Sequence, residues 1–392
     1  MTAVWLAALD EGRRIVLDWG VLLITVLAVI LYSFFYPVPY TPEVLHDIPV
    51  AVVDNDGSAM SRTLVRMIDA HESVRVVARS VSMADAETLA SAGTVVAVVT
   101  IPRDLERDVL RGRRVRVAAH VDASCMLAYS GVLKGLLESG GTFSAGIETA
   151  RWRAAGRSAD AAARARQPIV ADLRPLFSPA GGYGAYVVPA VLVLALQQTL
   201  LIGAGMAGGT RRERLQPRAP GAPRPAIRTL LGPVQQVLGR SLPYLGLYAF
   251  NAWYCFGVAL PYQGYPSRGE TSTLVLLTVP FVLATTMMAL AIRGLFRRRE
   301  TAVQVLLFTS LPFVFLAGFS WPVEALPPWL QLAARLVPTS EAIPAFLRVM
   351  RMGATLADVS RETGTLWALA ALYFPLACWS HRESVYTPVD GR

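Results

Sequence analysis

The side chains able to do covalent or metal chemistry are few and scattered. His46, His71, His120 and His381 stand far apart, and no HExxH or paired-histidine spacing sets two imidazoles on one helix face for a metal. Cys125, Cys255 and Cys378 are odd in number, widely separated and without a CxxC pair, so they read as neither a disulfide framework nor a zinc site. DNDGS, beginning at Asp54, starts like a calcium loop. Its sixth position is Ala59 instead of glycine and no glutamate holds the twelfth, which makes it a turn after a strand. No GxSxG elbow occurs. Lys134 is the only lysine, and VLKGLL lacks the GxxxxGK[ST] pattern of a phosphate-gripping loop. The expectation is no catalytic, cofactor-binding or metal-binding residue in this chain, so ATP-driven work needs ATP and Mg held by a partner subunit.

The informative polar residues are those embedded in apolar runs: Gln197, Gln198, Thr199, Asn251, Thr285, Thr286 and Gln304. Polar groups in hydrocarbon must face protein or water, which points all of them at a bundle interior. There they either tie helices together or line a substrate path, with Met287 and Met288 as adaptable apolar lining. The path candidates are Gln197, Gln198, Asn251, Thr285, Met287 and Gln304.

The elements that would hold these residues are membrane spans. The 392 residues are 54% hydrophobic and 17% charged, against about 25% charged in soluble domains. Uncharged or nearly uncharged runs lie at 19–36, 183–209, 241–262, 273–292, 303–320 and 365–380, the last shorter and interrupted by Pro375. The net charge of +9 comes from arginines that flank these runs without aromatic interleaving, so they orient spans and do not form a nucleic-acid surface. Six arginines against Glu213 alone between Arg211 and Arg228 put that loop in the cytoplasm, and Arg13 and Arg14 hold the start of the first span inside.

The fold class expected is a polytopic α-helical membrane protein of six transmembrane helices plus an inserted external α/β domain. Residues 1–15 form a cytoplasmic amphipathic helix and 16–37 the first span. Residues 38–180 form a periplasmic or extracellular α/β domain, 181–382 hold spans two to six, and 383–392 are a cytoplasmic tail. Within the inserted domain, strands are expected at 48–54, 73–80, 94–101 and 114–122. Helices are expected from the Ser58 cap to 67, over 84–92, from Pro102 to 110, and over 126–155 with an interruption at Gly140-Gly141. The Ala/Arg run 157–166 reads as a solvated helix face or linker.

After the fifth span comes FLAGFSWPVEALPPWLQLAARLVPTSEAI. Trp321-Pro322 is expected to stop the span, and Trp329, Leu332, Ala333 and Leu336 then recur at helical spacing, as in a short amphipathic helix at the membrane surface. This stretch closely resembles the outer hairpin of type-2 ABC exporter permeases. PVAVVDNDGSAMSRTLVRMIDA resembles the start of that family's external domain, LFSPAGGYGAYVVPAVLVL the start of its second span, and LGRSLPYL the start of its third. The resemblance covers essentially the whole chain.

It implies a permease subunit that moves a drug-like, lipid-like or other amphiphilic molecule outward across a bacterial inner membrane, with both termini cytoplasmic. The implied partners are separate cytoplasmic ABC ATPase subunits, a second permease copy or a paralogue, the lipid bilayer and, in exporters with this external domain, a periplasmic adaptor and outer-membrane duct. Nucleic acid is not among them. ATPase-coupling candidates carried over from the family are Asp10, Glu11, Arg211, Arg212, Glu213 and Arg214. The family's Gly-Thr-x-Glu coupling helix is absent here, because LQPRAPGAPRP follows Glu213. Exit-hairpin candidates, in an outer-face re-entrant segment at 321–348, are Trp321, Pro322, Glu324 and Trp329. The rival reading is a membrane-anchored receptor or assembly scaffold whose external domain binds a ligand or protein. The broken outer hairpin favours transport, since an anchor needs no such cap.

Overall fold

A computed structural model describes residues 2–41, 44–80, 82–156, 182–215, 232–265 and 267–382. The 157–166 run, most of the Arg-rich loop and the C-terminal tail lie outside them. The chain divides into two compact units, Met1–Thr41 with Gly182–Arg392, and Pro42–Gly181.

The described residues of the first unit form helices joined by turns, with no strand among them. Helix α1 is Thr2–Leu17. Asp18 ends it by capping the next helix, its Oδ1 accepting from the Gly20 and Val21 amides at 3.1 and 3.3 Å. Helix α2 runs Trp19–Leu22, loosens into a π turn at Leu23–Leu27 and resumes as Ala28–Phe35. The Thr25 carbonyl within that turn accepts from Asn251 Nδ2 at 2.8 Å, and the Ser33 carbonyl from Gln263 Nε2 at 2.8 Å. The loosened ladder frees the Thr25 acceptor, and Pro37, which has no N–H to give, frees that of Ser33.

In the second unit, strands β1 (Ile48–Asp54), β2 (Val74–Ser80), β3 (Ala97–Ile101) and β4 (Ala118–Val121) form one sheet in the order β2-β1-β3-β4. β1 pairs in parallel with β2 and β3, and β4 returns antiparallel to β3. Alternation in β1 serves two cores. Val50 and Val52 pack with Leu64, Val65 and Ile68, whereas Ala51 and Val53 face Ala86 and Val98. Helices α3 (Ala59–Asp69), α4 (Met83–Ser91), α5 (Leu105–Leu110) and α6 (Met126–Ala154) complete the unit.

Three local expectations need correction here. Pro102 does not open a helix, because α5 starts at Leu105 after Asp104 takes the left-handed conformation at φ +64. α6 continues through Gly140 and Gly141, where a Cβ would meet nothing within 4 Å. The two glycines lower helix propensity by about 1 kcal/mol each, and the 29-residue ladder absorbs that. The fourth strand covers only Ala118–Val121 of the alternating 114–122 stretch, the part in register with Ala97–Thr100. Asp54 does make a turn: its Oδ1 accepts from the Asp56 and Gly57 amides at 3.1 and 3.0 Å, and Oδ2 from Ser61 Oγ at 2.8 Å.

The helical unit continues with α7 (Gly184–Leu215), α8 (Pro233–Trp253, extended by a π turn to Ala259 and by Leu260–Tyr262) and α9 (Thr271–Arg293). Next come α10 (Arg299–Phe308), α11 (Ser310–Leu316), α12 (Pro328–Ala334), α13 (Pro338–Met352) and α14 (Ser360–Arg382). Among the described residues four stretches are long and apolar enough to cross a membrane: Trp19–Tyr40, Gly184–Glu213, Thr271–Arg293 and Arg299–Leu316. The most apolar window of α7 is 89% buried and that of Arg299–Leu316 only 11%, so α7 is the axis and α10–α11 an outer wall.

The hairpin differs from expectation in two ways. Its first helix stops at Leu316, before Trp321-Pro322, and Gly318 turns the chain at φ +77, a conformation that excludes most side chains. Its return helix α13 reaches Met352, past 348, and Ile343, Phe346 and Met350 are buried in the bundle core. A surface cap alone does not describe it.

Close packing around α7 depends on residues without side chains. A Cβ at Gly203 would stand 2.2 Å from Thr25 Cγ2, and one at Gly209 2.6 Å from the Arg299 backbone nitrogen. The first neighbour can rotate and the second cannot. Gly209→Ala is therefore expected to lower stability by about 1–3 kcal/mol. Gly246→Ala, where nothing lies within 4 Å, is expected to be neutral or stabilising. Thermal unfolding of the purified variants measures both.

Candidate functional site: a buried charge cluster at one end of the bundle

Helix α1 exposes Trp5, Leu9, Val16 and Leu17 and buries Ala7, Ala8, Glu11 and Ile15 against the bundle. Small residues permit the approach, since a Cβ at Gly239 of α8 would lie 2.5 Å from Ala7 Cβ. Burying Ala7 and Ile15 on this face carries Glu11 in with them, and Glu11 is 1% exposed.

Its partners come from two other helices. Arg293 Nη1, at the end of α9, donates to Glu11 Oε1 at 2.6 Å, and Tyr244 Oη of α8 donates to the same oxygen at 3.1 Å. Arg240 Nε, one turn before Tyr244, is 3.8 Å from Oε2. Burial pushes the Glu11 carboxyl up, but the Arg293 guanidinium, the Tyr244 hydroxyl and the nearby Arg211 charge outweigh it and hold the group below its ordinary value. A depressed carboxylate stabilises the fold above its unfolded pKa, about 4.3, and loses that contribution as pH falls through the folded value. The pair therefore stays ionised across the neutral range and acts as a constant latch.

A second node joins the α1–α2 junction to α7 and α10. Arg299 grips Asp18 through Nη1 and Nη2, both at 2.9 Å, and its backbone N–H donates to Glu213 Oε1 at 2.8 Å. Glu213 thus caps α10 from the end of α7. Together the two nodes tie α1 and α2 to α7, α8, α9 and α10 by charge-assisted bonds.

Of the coupling candidates, Glu11 and Arg211 lie buried at the cluster, Arg212 is half-buried beside it, and Glu213 belongs to the second node. Asp10 is exposed and paired with Arg14 at 3.0 Å. The Arg214 side chain lies outside the described residues. Sequence reasoning misses Arg240, Tyr244 and Asp18 and takes Arg293 and Arg299, with Arg297 and Arg298, only as markers of the inner side before the fifth span, although Arg240 and Tyr244 at i, i+4 mark one polar face in LGRSLPYL.

The path candidates sit deeper. Gln197 Oε1 accepts from the Thr339 amide at 3.0 Å, Gln198 Nε2 donates to the Leu306 carbonyl at 2.9 Å, and Asn251 bonds Thr25 as above. Each amide has a second atom, Gln197 Nε2, Gln198 Oε1 and Asn251 Oδ1, that is buried without a partner, as is Thr285 Oγ1. Met287 is buried beside them in sequence and Met288 half-buried. Gln304 departs from expectation: it is exposed on α10, because only Ala302 and Leu306 of that helix turn inward.

In the hairpin, Trp321 and Trp329 are 54% and 69% exposed, and Pro322 and Glu324 are exposed as well. Gln331 Nε2 closes the turn by donating to the Leu326 carbonyl at 2.9 Å. Tyr186 of α7 and Tyr373 of α14 donate to the Phe319 and Leu336 carbonyls at 3.0 and 2.6 Å, anchoring both arms. Separately, the second unit carries an open groove of about 1200 Å³ lined by Leu64, Leu105, Phe143 and Ile147 together with Arg113 and Arg151.

A bundle of long apolar helices, latched at one end by one buried and one half-buried arginine–carboxylate node, defines a multi-pass helical membrane protein. Residues 19–379 match the family model of the ABC-2 family transporter proteins, and the chain belongs to that family. It is accordingly an ABC transporter permease, a membrane component that is not itself an ATPase. No curated protein matches the chain.

Glu11→Gln leaves Arg293 buried without its counter-charge and is expected to cost about 3–5 kcal/mol. The Glu11→Gln/Arg293→Gln double variant is expected to lose less than the sum of the two single losses. Asp10→Asn, in an exposed pair, is expected to stay within about 1 kcal/mol of the parent. Unfolding midpoints in detergent distinguish the three.

Proposed function

We propose that the chain is the permease half of an ATP-binding-cassette exporter, crossing the bacterial inner membrane six times with both termini inside. The observation that carries this is the latch. A surface helix tied by Glu11 to α8 and α9, and through Asp18 to α10, cannot be displaced without moving the helices that hold the polar path. In this reading the two further crossings are α8 and α14, and the Pro42–Gly181 unit is exported.

Separate ATPase subunits, holding ATP and Mg, bind the exposed side of α1 and the loop after α7. Their closure stabilises one arrangement of the bundle over the other, and that differential binding is what drives the change. A drug-like, lipid-like or other amphiphilic molecule passes the unpaired amide atoms of Gln197, Gln198 and Asn251 and leaves past the hairpin. The apolar outer wall, with Phe308 82% and Leu311 63% exposed, is the surface offered to lipid and to a second permease copy. A periplasmic adaptor and outer-membrane duct belong to the same proposal. The groove of the second unit favours one other reading, a membrane-anchored receptor or scaffold that binds a ligand there.

Two experiments separate these. Purification with co-expressed neighbouring gene products is expected to bring down a Walker-motif ATPase whose hydrolysis is coupled to efflux. An ATPase that never associates, with efflux unchanged when each neighbour is removed, would leave the receptor reading. Trp321→Leu with Pro322→Ala is expected to reduce efflux at least several-fold while ATPase association persists. Loss of association instead would put the hairpin on the cytoplasmic side.

A further inference from the structure

Beside the Glu11 latch lies a cavity of about 40 Å³ lined by Arg211, Arg212, Arg240, Arg293, Ser380 and His381. Among the described residues its buried charge does not balance. Arg211, Arg240 and Arg293 are 8%, 5% and 4% exposed, and Glu11 is the only buried carboxylate among the described residues. Asp10, the next acid along α1, is exposed and taken by Arg14. His381 directs Nδ1 at the Ala377 carbonyl, 2.8 Å away, and supplies no negative charge.

Three donors at the cavity have no partner: Arg293 Nη2, Arg211 Nε and Ser380 Oγ. Guanidinium groups held out of water require a counter-charge, and their N–H groups match the oxygens of a tetrahedral oxyanion. A water molecule would supply acceptors but no charge. The volume exceeds the roughly 10–15 Å³ that one water needs, and it is too small for a peptide segment. Arg211 and Arg293 also stand at the ends of α7 and α9, a level that a phosphate reaches from solution or on a lipid headgroup.

We propose that this cavity binds one small oxyanion of the phosphate type, free or presented by a membrane lipid, and that the anion completes the latch by neutralising the arginine charge that the single Glu11 carboxylate leaves over. The site does not depend on the direction of transport or on the substrate.

The test uses the full chain, delipidated in uncharged detergent. In the first arm its thermal unfolding is titrated with inorganic phosphate against chloride at constant ionic strength. In the second, native mass spectrometry records retention of added phosphatidylglycerol against a neutral diacylglycerol. The expected result is saturable stabilisation by phosphate, weakened about tenfold or more in Arg211→Gln and partly restored in Arg211→Lys. Ser380→Asp places a carboxylate in the cavity and is expected to raise the unfolding temperature without phosphate and abolish the phosphate response. A phosphate response without lipid retention identifies a free anion. Lipid retention that Arg211→Gln removes identifies a headgroup.

If Arg211→Gln does not fold, the Ser380→Asp and Arg211→Lys responses decide. The proposal fails if phosphate and chloride act alike and no phosphatidylglycerol is retained, or if the responses survive both substitutions. It also fails if protection appears only when an ATPase subunit is added, which would make the counter-charge an acidic side chain of that partner.

Discussion

A carboxylate held out of water among guanidinium groups constrains everything around it. Glu11 and Arg293 are separated by most of the helical unit in sequence, yet they meet at 2.6 Å with almost no exposure. Pulling either away would leave a bare charge in a poorly solvated place, a far larger penalty than the loss of one contact. Helices α1, α8 and α9 are therefore held in one arrangement at that end, and the apolar packing elsewhere accommodates it. The Asp18–Arg299–Glu213 node repeats the device one layer on, with the added economy that Asp18 and Glu213 each also cap a helix.

Such nodes work only where backbones come close, and the bundle achieves this with glycine. Gly203, Gly208 and Gly209 line the side of α7 that meets α2, α9 and the start of α10, and each would drive a Cβ into a neighbour. Without a hydrophobic driving force between helices in lipid, close contact and hydrogen bonds do the work that burial does in water. The amide bonds of Gln197, Gln198 and Asn251 belong to the same scheme, each reaching a backbone group of a different helix. Their second amide atoms, buried without a partner, keep parts of the interior polar. This combination of tight seams and a polar interior suits the transport role proposed above.

The second unit obeys the rules of water-soluble domains. β1 is buried on both faces, so it reads as the continuous apolar run IPVAVVD, and its helices supply the two covering layers. The bounds of β1, the Ser58 cap and the Asp54 turn follow from local chemistry and are legible from residue types alone. The errors fell where local signals are weakest: a proline three residues too early, a glycine pair inside a long helix, and an alternating stretch longer than its partner strand.

By itself the sequence determined the class of protein. Apolar run lengths, arginine placement and the single lysine depend on the solvent that each segment meets, and solvent preference is additive along the chain, so a reader needs no coordinates to sum it. The hairpin and its neighbouring motifs, read in order, also carried the family. What only the tertiary structure decided was which charges meet. Arg293, Arg298 and Arg299 look alike in sequence as markers of the inner side, yet Arg293 closes on Glu11, Arg299 grips Asp18 and Arg298 lies outside both nodes. Likewise Gln304 turned outward and α13 inward because helix rotation is set by neighbours across the bundle, not by adjacent residues. Pairing between distant charges is a property of packing geometry, and no local pattern encodes it.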